Sequence, residues 1–127
     1  MSQPSPPAQL SILLVEDSQE LRELFAIILK SAGHNVQAVA DGRAAVACLA
    51  NGSSAYDLVV TDRTMPGGVS GEEVVRAAKA RGAKAILMSG DSIREVRLSG
   101  AQAGADAVLE KPLDSDQFLE AISGLFR

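Results

Sequence analysis

The sequence predicts an α/β domain with a doubly wound (βα)5 architecture, in which five parallel strands are covered by helices on both faces. Five short apolar runs alternate along the chain with five segments of helical periodicity. The runs are Ile12–Val15, Val36–Val39, Leu58–Val60, Ala85–Met88 and Ala107–Leu109. Four of them are almost continuously apolar, as expected for strands buried on both faces. Strictly alternating elements with short connections favour a parallel sheet.

The second run differs from the others because Gln37 interrupts it. One polar face on an otherwise apolar strand is typical of a strand that is covered incompletely. We therefore expect Val36–Val39 to lie at an edge of the sheet.

The first helix is predicted from an apolar stripe with the spacing of one buried helical face. Its members are Leu21, Leu24, Phe25, Ile28 and Leu29. Either Asp17 or Ser18 can cap its amino end, and Glu20 follows Asp17 in capping-box spacing. Gly33 is expected to end the helix.

Four further helices follow the same logic. They are predicted at about 42–50, 71–81 and 93–103, with the last near the carboxyl end of the chain. The residues expected to face inward are Val74, Val75 and Ala78, then Ile93, Val96, Leu98 and Ala101, then Phe118, Leu119, Ile122 and Phe126.

The bulk composition fits one ordinary globular domain. The chain has 127 residues, of which 46% are hydrophobic and 22% charged, as expected for a single domain. We expect this domain at 10–127, after a short disordered tail at 1–9. A net charge of −4 and the absence of Trp argue against direct nucleic-acid binding. No apolar run is long enough to insert in a membrane, and residues 1–9 do not resemble a signal peptide, so we expect a cytoplasmic protein. Cys48 is the single cysteine, which excludes an intrachain disulfide.

Polar side chains follow four of the predicted strands where each strand ends. Glu16 and Asp17 follow the first strand, Asp62 the third, Ser89 the fourth and Lys111 the fifth. Ligands of open parallel sheets bind beyond the carboxyl ends of the strands. The sequence therefore predicts a site with three carboxylates, a hydroxyl and an ammonium group at one edge of the sheet.

Such a cluster suits a divalent cation and a phosphoryl group. Two carboxylates at ~4 Å repel by about 4 kcal/mol at an effective dielectric of 20. Mg²⁺ relieves that repulsion, because it prefers oxygen ligands and keeps several waters. A carboxylate could then attack phosphorus in line and form an acyl phosphate, with Lys111 and Ser89 stabilising the equatorial oxygens.

Each of these residues also has an ordinary structural interpretation. Asp17 could be a helix cap, Asp62 a turn former, and Lys111 a surface lysine before a proline turn. Ser89 could belong to a capped loop entering the fourth helix. Their joint placement after four strands is what favours the functional interpretation.

These motifs resemble the receiver domain of two-component response regulators, the CheY-like family. The resemblance covers about residues 10–126 and depends on the acidic pair after the first strand, on Asp62 with Met65-Pro66 downstream, on Ser89 and on Lys111-Pro112. It implies the flavodoxin-like strand order 2-1-3-4-5. It also implies a phosphorelay function without turnover of a separate substrate, in which gain and loss of the phosphoryl group are self-catalysed.

The resemblance assigns a role to each site residue. Asp62 becomes the phosphoacceptor, supplied by a histidine kinase or a histidine phosphotransfer protein, while Ser89 is the switch hydroxyl and Lys111 binds the phosphate. Asp17, Asp62 and the Thr64 backbone carbonyl would bind Mg²⁺, with Glu16 acting mostly through water. The Lys111-Pro112 peptide bond would be cis.

Three features depart from the common family pattern. The loop at 65–71 is one residue longer, and no output domain follows Arg127, so the signal should leave through a downstream effector protein. Val108 stands where many receivers carry an aromatic that rotates inward on activation. We therefore expect phosphorylation to be retained and the usual readout to be altered.

Two other functions remain open at this point. A receiver-like scaffold that signals without phosphate is favoured by Val108 and opposed by the intact site. A Mg²⁺-dependent phosphohydrolase normally has a second acid two residues after its nucleophile, where this chain has Thr64. The single histidine, His34, is expected at the opposite end of the sheet, away from any phosphotransfer chemistry.

Overall fold

The computed structural model describes residues 9–51, 55–90, 93–111 and 114–126, and within them five strands alternate with five helices. The predicted tail, apart from Gln9, and Pro112 lie outside the described residues. The strands are β1 Ser11–Val15, β2 Asn35–Val39, β3 Leu58–Asp62, β4 Lys84–Ser89 and β5 Ala107–Glu110. The helices are α1 Gln19–Ser31, α2 Gly42–Ala50, α3 Gly71–Ala80, α4 Ile93–Ala103 and α5 Ser115–Leu125.

The strands form one parallel sheet in the order β2-β1-β3-β4-β5. This confirms the predicted α/β class, the strand order and the edge position of β2. The order places β1 and β3 side by side in the centre, with Val15 opposite Thr61. The acidic residues that follow β1 are therefore next to the end of β3.

Alternate residues of the strands point to opposite faces and pack into two separate cores. One core joins β1, β3 and β4 to α2, α3 and α4, through residues such as Leu13, Val59 and Leu87. The other joins the same strands to α1 and α5, where the rings of Phe25 and Phe118 meet edge-on at 5.4 Å. Burial on both faces explains the nearly continuous apolar character of the central strands.

Two of the predicted helical stripes were wrong in part. On α1 the buried stripe is centred on Phe25 and Leu29, which turns Leu24 outward and leaves it 49% exposed. On α4 the buried positions are Val96, Gly100 and Ala103, with i, i+4, i+7 spacing. Leu98 lies on the opposite side of that helix and is 63% exposed, and Ala101 is also exposed.

Ser18 caps α1, because its side chain accepts a hydrogen bond from the backbone N–H of Leu21. Asp17 is therefore not the cap, and it forms no capping box with Glu20. This leaves the Asp17 carboxylate outside the helix end, on the loop that leads into the sheet edge.

Candidate functional site

The predicted site residues meet at the carboxyl end of the sheet. Asp62 and Ser89 are the last residues of β3 and β4, while Glu16 directly follows β1 and Lys111 directly follows β5. A cavity of about 220 Å³ opens at this edge. It is lined by Asp17, Asp62, Thr64, Met88, Ser89, Gly90 and Lys111.

The three carboxylates form a compact cluster. One oxygen from each of Glu16, Asp17 and Asp62 lies within 4.8 Å of the others. Glu16 is fully buried and Asp62 is 4% exposed, whereas Asp17 is exposed to solvent. Three oxygen donors of this kind fit a hard divalent cation, and the exposed Asp17 leaves an approach from solvent.

Lys111 provides positive charge in the same cluster. Its Nζ lies 2.7 Å from Glu16 Oε1 and 2.5 Å from Asp62 Oδ1, and its side chain is 20% exposed. The backbone N–H of Lys111 also donates to the Ser89 carbonyl, which holds β5 against β4 at this end. The interpretation of Lys111 as an ordinary surface lysine is therefore wrong.

The site shifts the pKa values of its two buried carboxyl groups, Glu16 and Asp62, in opposite directions. Burial, and then the neighbouring Glu16, raise the pKa of Asp62 to about 8, although Lys111 opposes the shift. Burial also acts to raise the pKa of Glu16, but hydrogen bonds from Asp62, Lys111 and the Ser18 backbone outweigh it and lower that pKa. Without a cation the buried pair therefore holds one proton between its two carboxyl groups near neutral pH.

This shared proton makes stability depend on pH. Because the pKa of Asp62 is higher in the folded than in the unfolded protein, the stabilising proton is present at low pH and is lost as pH rises toward 8. In EDTA, we expect the free energy of unfolding to fall by about 1 kcal/mol between about pH 7 and pH 8.5. Urea unfolding at several pH values measures it, and Asp62→Asn should remove the dependence.

His34 affects the pH dependence of stability only below the range in which Asp62 is tested. Burial lowers its pKa, and its Nδ1 accepts a hydrogen bond from the Leu10 backbone N–H at 3.1 Å. Stability linked to neutral His34 is therefore lost only as pH falls below the ordinary histidine range. The residue precedes β2, at the end of the sheet opposite the acidic cluster, as predicted.

The loop from β3 to α3 is held directly against the phosphoacceptor candidate. A Cβ at Gly71 would lie 2.1 Å from the Asp62 carbonyl oxygen and 2.7 Å from the Arg63 Cα. The Gly71 N–H donates to the Arg63 carbonyl at 2.8 Å. The sequence indicated Gly71 only as a helix start, since nothing in its neighbours signals contact with residues eight and nine positions earlier.

Val108, on β5, packs against α4 at Gly100. Its side chain is half-buried against the core under α4, and a Cβ at Gly100 would lie 2.7 Å from Val108 Cγ2. The absence of a side chain at Gly100 therefore lets α4 approach β5 closely.

Comparison with known proteins identifies the family. The family model described as the response regulator receiver domain matches residues 12–123. This chain belongs to that family. Receiver domains are signalling domains of two-component systems rather than classical enzymes, and they interact with histidine kinases and downstream effectors.

Individual relatives agree with this assignment. The chain is 38% identical over 118 residues to the transcriptional regulatory protein TcrA of Mycobacterium tuberculosis, covering 91% of this chain and 46% of TcrA. It thus spans about half the length of that curated relative. A CheY-like receiver domain protein from Methanospirillum hungatei has a TM-score of 0.85 at 28% identity, covering 94% of each chain.

A third relative bears on the acidic cluster. The receiver domain of the sensor histidine kinase PA1611 from Pseudomonas aeruginosa has a TM-score of 0.79 at 28% identity, covering 94% of this chain and 98% of its own. That structure has a magnesium ion coordinated in its active site cleft.

None of the helices within the described ranges is both long and apolar enough to cross a membrane.

Proposed function

We propose that this receiver domain, at residues 10–127, accepts a phosphoryl group on Asp62 from a partner histidine kinase or histidine phosphotransfer protein. One observation carries the proposal. The ammonium group of Lys111 contacts both buried carboxylates of the site, at the wall of a cavity that is open to solvent. This is the charge arrangement that a carboxylate nucleophile and an incoming phosphate both need.

The donor set fits Mg²⁺. Glu16, Asp17 and Asp62 offer clustered carboxylate oxygens, and the Thr64 carbonyl is the fourth candidate because Thr64 lines the same cavity. When bound, Mg²⁺ would neutralise part of the charge on the carboxylates and the phosphoryl oxygens. A related receiver domain with magnesium in its cleft supports this choice of cation.

The protein's own residues would carry the transfer. With the cation bound, Asp62 would be ionised. One of its carboxylate oxygens would attack the phosphorus to form an O–P bond, while the P–N bond breaks and its electron pair returns to the donor imidazole. Lys111 would move its ion pair from Asp62 to a phosphoryl oxygen, while the Ser89 hydroxyl binds a second one. Attack by water on the same phosphorus would restore the carboxylate, which makes both steps self-catalysed.

The proposed partners follow from this chemistry. The phosphoryl donor is a phosphohistidine protein, and the readout is a downstream effector protein in the same cytoplasmic compartment. Neither partner needs to be a nucleic acid or a membrane. A scaffold that works without phosphate is the alternative, and it would bind its partner equally well when Asp62 cannot be modified.

Labelling with acetyl phosphate tests the proposal. We expect one phosphoryl group per chain by intact mass, only when Mg²⁺ is present, and we expect neutral hydroxylamine to release it because it is an acyl phosphate. EDTA is the matched control. Absence of a label together with absence of Mg²⁺ binding by calorimetry would overturn the proposal, as would a label that resists hydroxylamine.

A further inference from the structure

Arg22 reaches back from α1 to the loop that carries the acidic pair. Its Nη1 donates to the Glu16 backbone carbonyl at 2.9 Å and to the Asp17 backbone carbonyl at 3.4 Å. Its own backbone N–H donates to the Ser18 carbonyl at 2.8 Å. One residue of the helix therefore contacts three consecutive peptide groups between β1 and α1.

These contacts matter most for Asp17. The Glu16 side chain is already held by Lys111 and by the Ser18 N–H, which donates to Glu16 Oε2 at 3.0 Å. Within the described residues, no hydrogen bond or ion pair holds the Asp17 carboxylate, and that residue is exposed. The position of this carboxylate therefore depends on its backbone, and Arg22 is the side chain that contacts the backbone carbonyls of both Glu16 and Asp17.

We propose that Arg22 is a positioning residue for cation binding, which acts by holding the Glu16–Asp17 backbone so that the Asp17 carboxylate is preformed for the cation. This inference rests on the proposed Mg²⁺ site. A guanidinium group suits the task because its rigid plane fixes the direction of the two bonds from Nη1, whereas a lysine ammonium rotates on a flexible stem. Mutation of a residue that holds a metal ligand in place without contacting the metal commonly costs 10–100-fold in metal affinity.

The sign of the effect separates positioning from simple electrostatics. A positive charge near the carboxylates disfavours a cation, so a purely electrostatic Arg22 would weaken Mg²⁺ binding and its removal would tighten it. A positioning Arg22 has the opposite consequence. Both Arg22→Lys, which keeps the charge, and Arg22→Gln, which removes it, should then weaken binding.

Calorimetric titration with Mg²⁺ alone measures this. We expect the Kd to rise about tenfold in Arg22→Gln and less in Arg22→Lys, while Arg43→Gln, at an exposed position of α2, leaves it unchanged. The labelling rate lost in the Arg22 variants should recover as Mg²⁺ is raised. Unchanged or tighter binding in either Arg22 variant would overturn the inference. Thermal unfolding shows whether each variant is folded. If Arg22→Gln does not fold, the Kd of Arg22→Lys tests the inference instead.

A double-mutant cycle tests the route through Asp17. In an Asp17→Asn background, Arg22→Gln should weaken Mg²⁺ binding much less than in the wild type, because the group that it positions is gone. Fully additive losses would mean that Arg22 acts elsewhere and would contradict the inference. If the wild type itself binds no Mg²⁺, the proposed function fails first, and this inference fails with it.

Discussion

Asp62→Asn is expected to abolish labelling by acetyl phosphate completely. The amide keeps the size and shape of the carboxyl group in a position that is 4% exposed, but it lacks the nucleophilic oxygen. Intact mass spectrometry after incubation with acetyl phosphate and Mg²⁺ measures the loss. Asp116→Asn, at an exposed position in the first turn of α5, is the matched control and should label like the wild type.

The same substitution should stabilise the metal-free protein. Burial and the nearby Glu16 raise the pKa of Asp62 to about 8, which means that the folded state holds this group at a cost near neutral pH. An amide carries no charge, so the free energy of unfolding in EDTA should rise by about 1 to 3 kcal/mol, after the loss of the contact with Lys111 is allowed for.

Urea unfolding of the wild type and of Asp62→Asn, each in EDTA at neutral pH, measures that gain. A destabilised Asp62→Asn would show that the contact with Lys111 outweighs the cost of burial and the repulsion by Glu16. A residual label on Asp62→Asn would show that another residue accepts the phosphoryl group, and the proposed assignment of Asp62 would be wrong.

Gly71→Ala is expected to damage both the fold and the site. The new methyl group would lie 2.1 Å from the Asp62 carbonyl oxygen and 2.8 Å from its carbonyl carbon, and both are backbone atoms that cannot rotate away. The β3–α3 loop must therefore shift. We expect the free energy of unfolding to fall by about 2 to 4 kcal/mol, somewhat above the usual cost of overpacking because the obstacle is backbone.

Urea unfolding measures the loss of stability, and acetyl phosphate labelling reports on the displaced Asp62. Gly124→Ala is the matched control, since a Cβ at Gly124 in α5 meets nothing within 4 Å. That change should raise the free energy of unfolding by about 0.5 to 1 kcal/mol, because alanine is the better helix former. Equal effects of the two substitutions would contradict the contact between Gly71 and Asp62.

Periodicity predicted the helix and strand positions well where one side of an element is strongly apolar. The ranges of α2 and α4 agree with the structure at both ends, and β2 lies at the sheet edge that Gln37 indicated. The errors fall on Leu24, Leu98 and Ala101, which are apolar but exposed. A hydrophobic pattern identifies a candidate face, but the exact centre of that face depends on which strands the helix packs against.

The positions of the candidate site residues were predictable for a topological reason. Parallel strands joined by helices bring their carboxyl ends to one edge, so residues that follow β1, β3, β4 and β5 must be near one another. Residue spacing cannot reveal which atoms of separate elements come into direct contact. The contact of Lys111 with Asp62 and the fit of Gly71 under the Asp62 carbonyl are of that kind.

The amino-acid sequence by itself therefore determined the architecture, the family resemblance and the residues of the acidic cluster, because each depends on local patterning and on the order of elements. The tertiary structure decided how these groups affect one another. The raised pKa of Asp62 results from burial beside Glu16, and the loop of Asp17 is held by a guanidinium group from the next helix. Both depend on distances of a few ångströms between separate elements, and such distances arise only when the chain is packed.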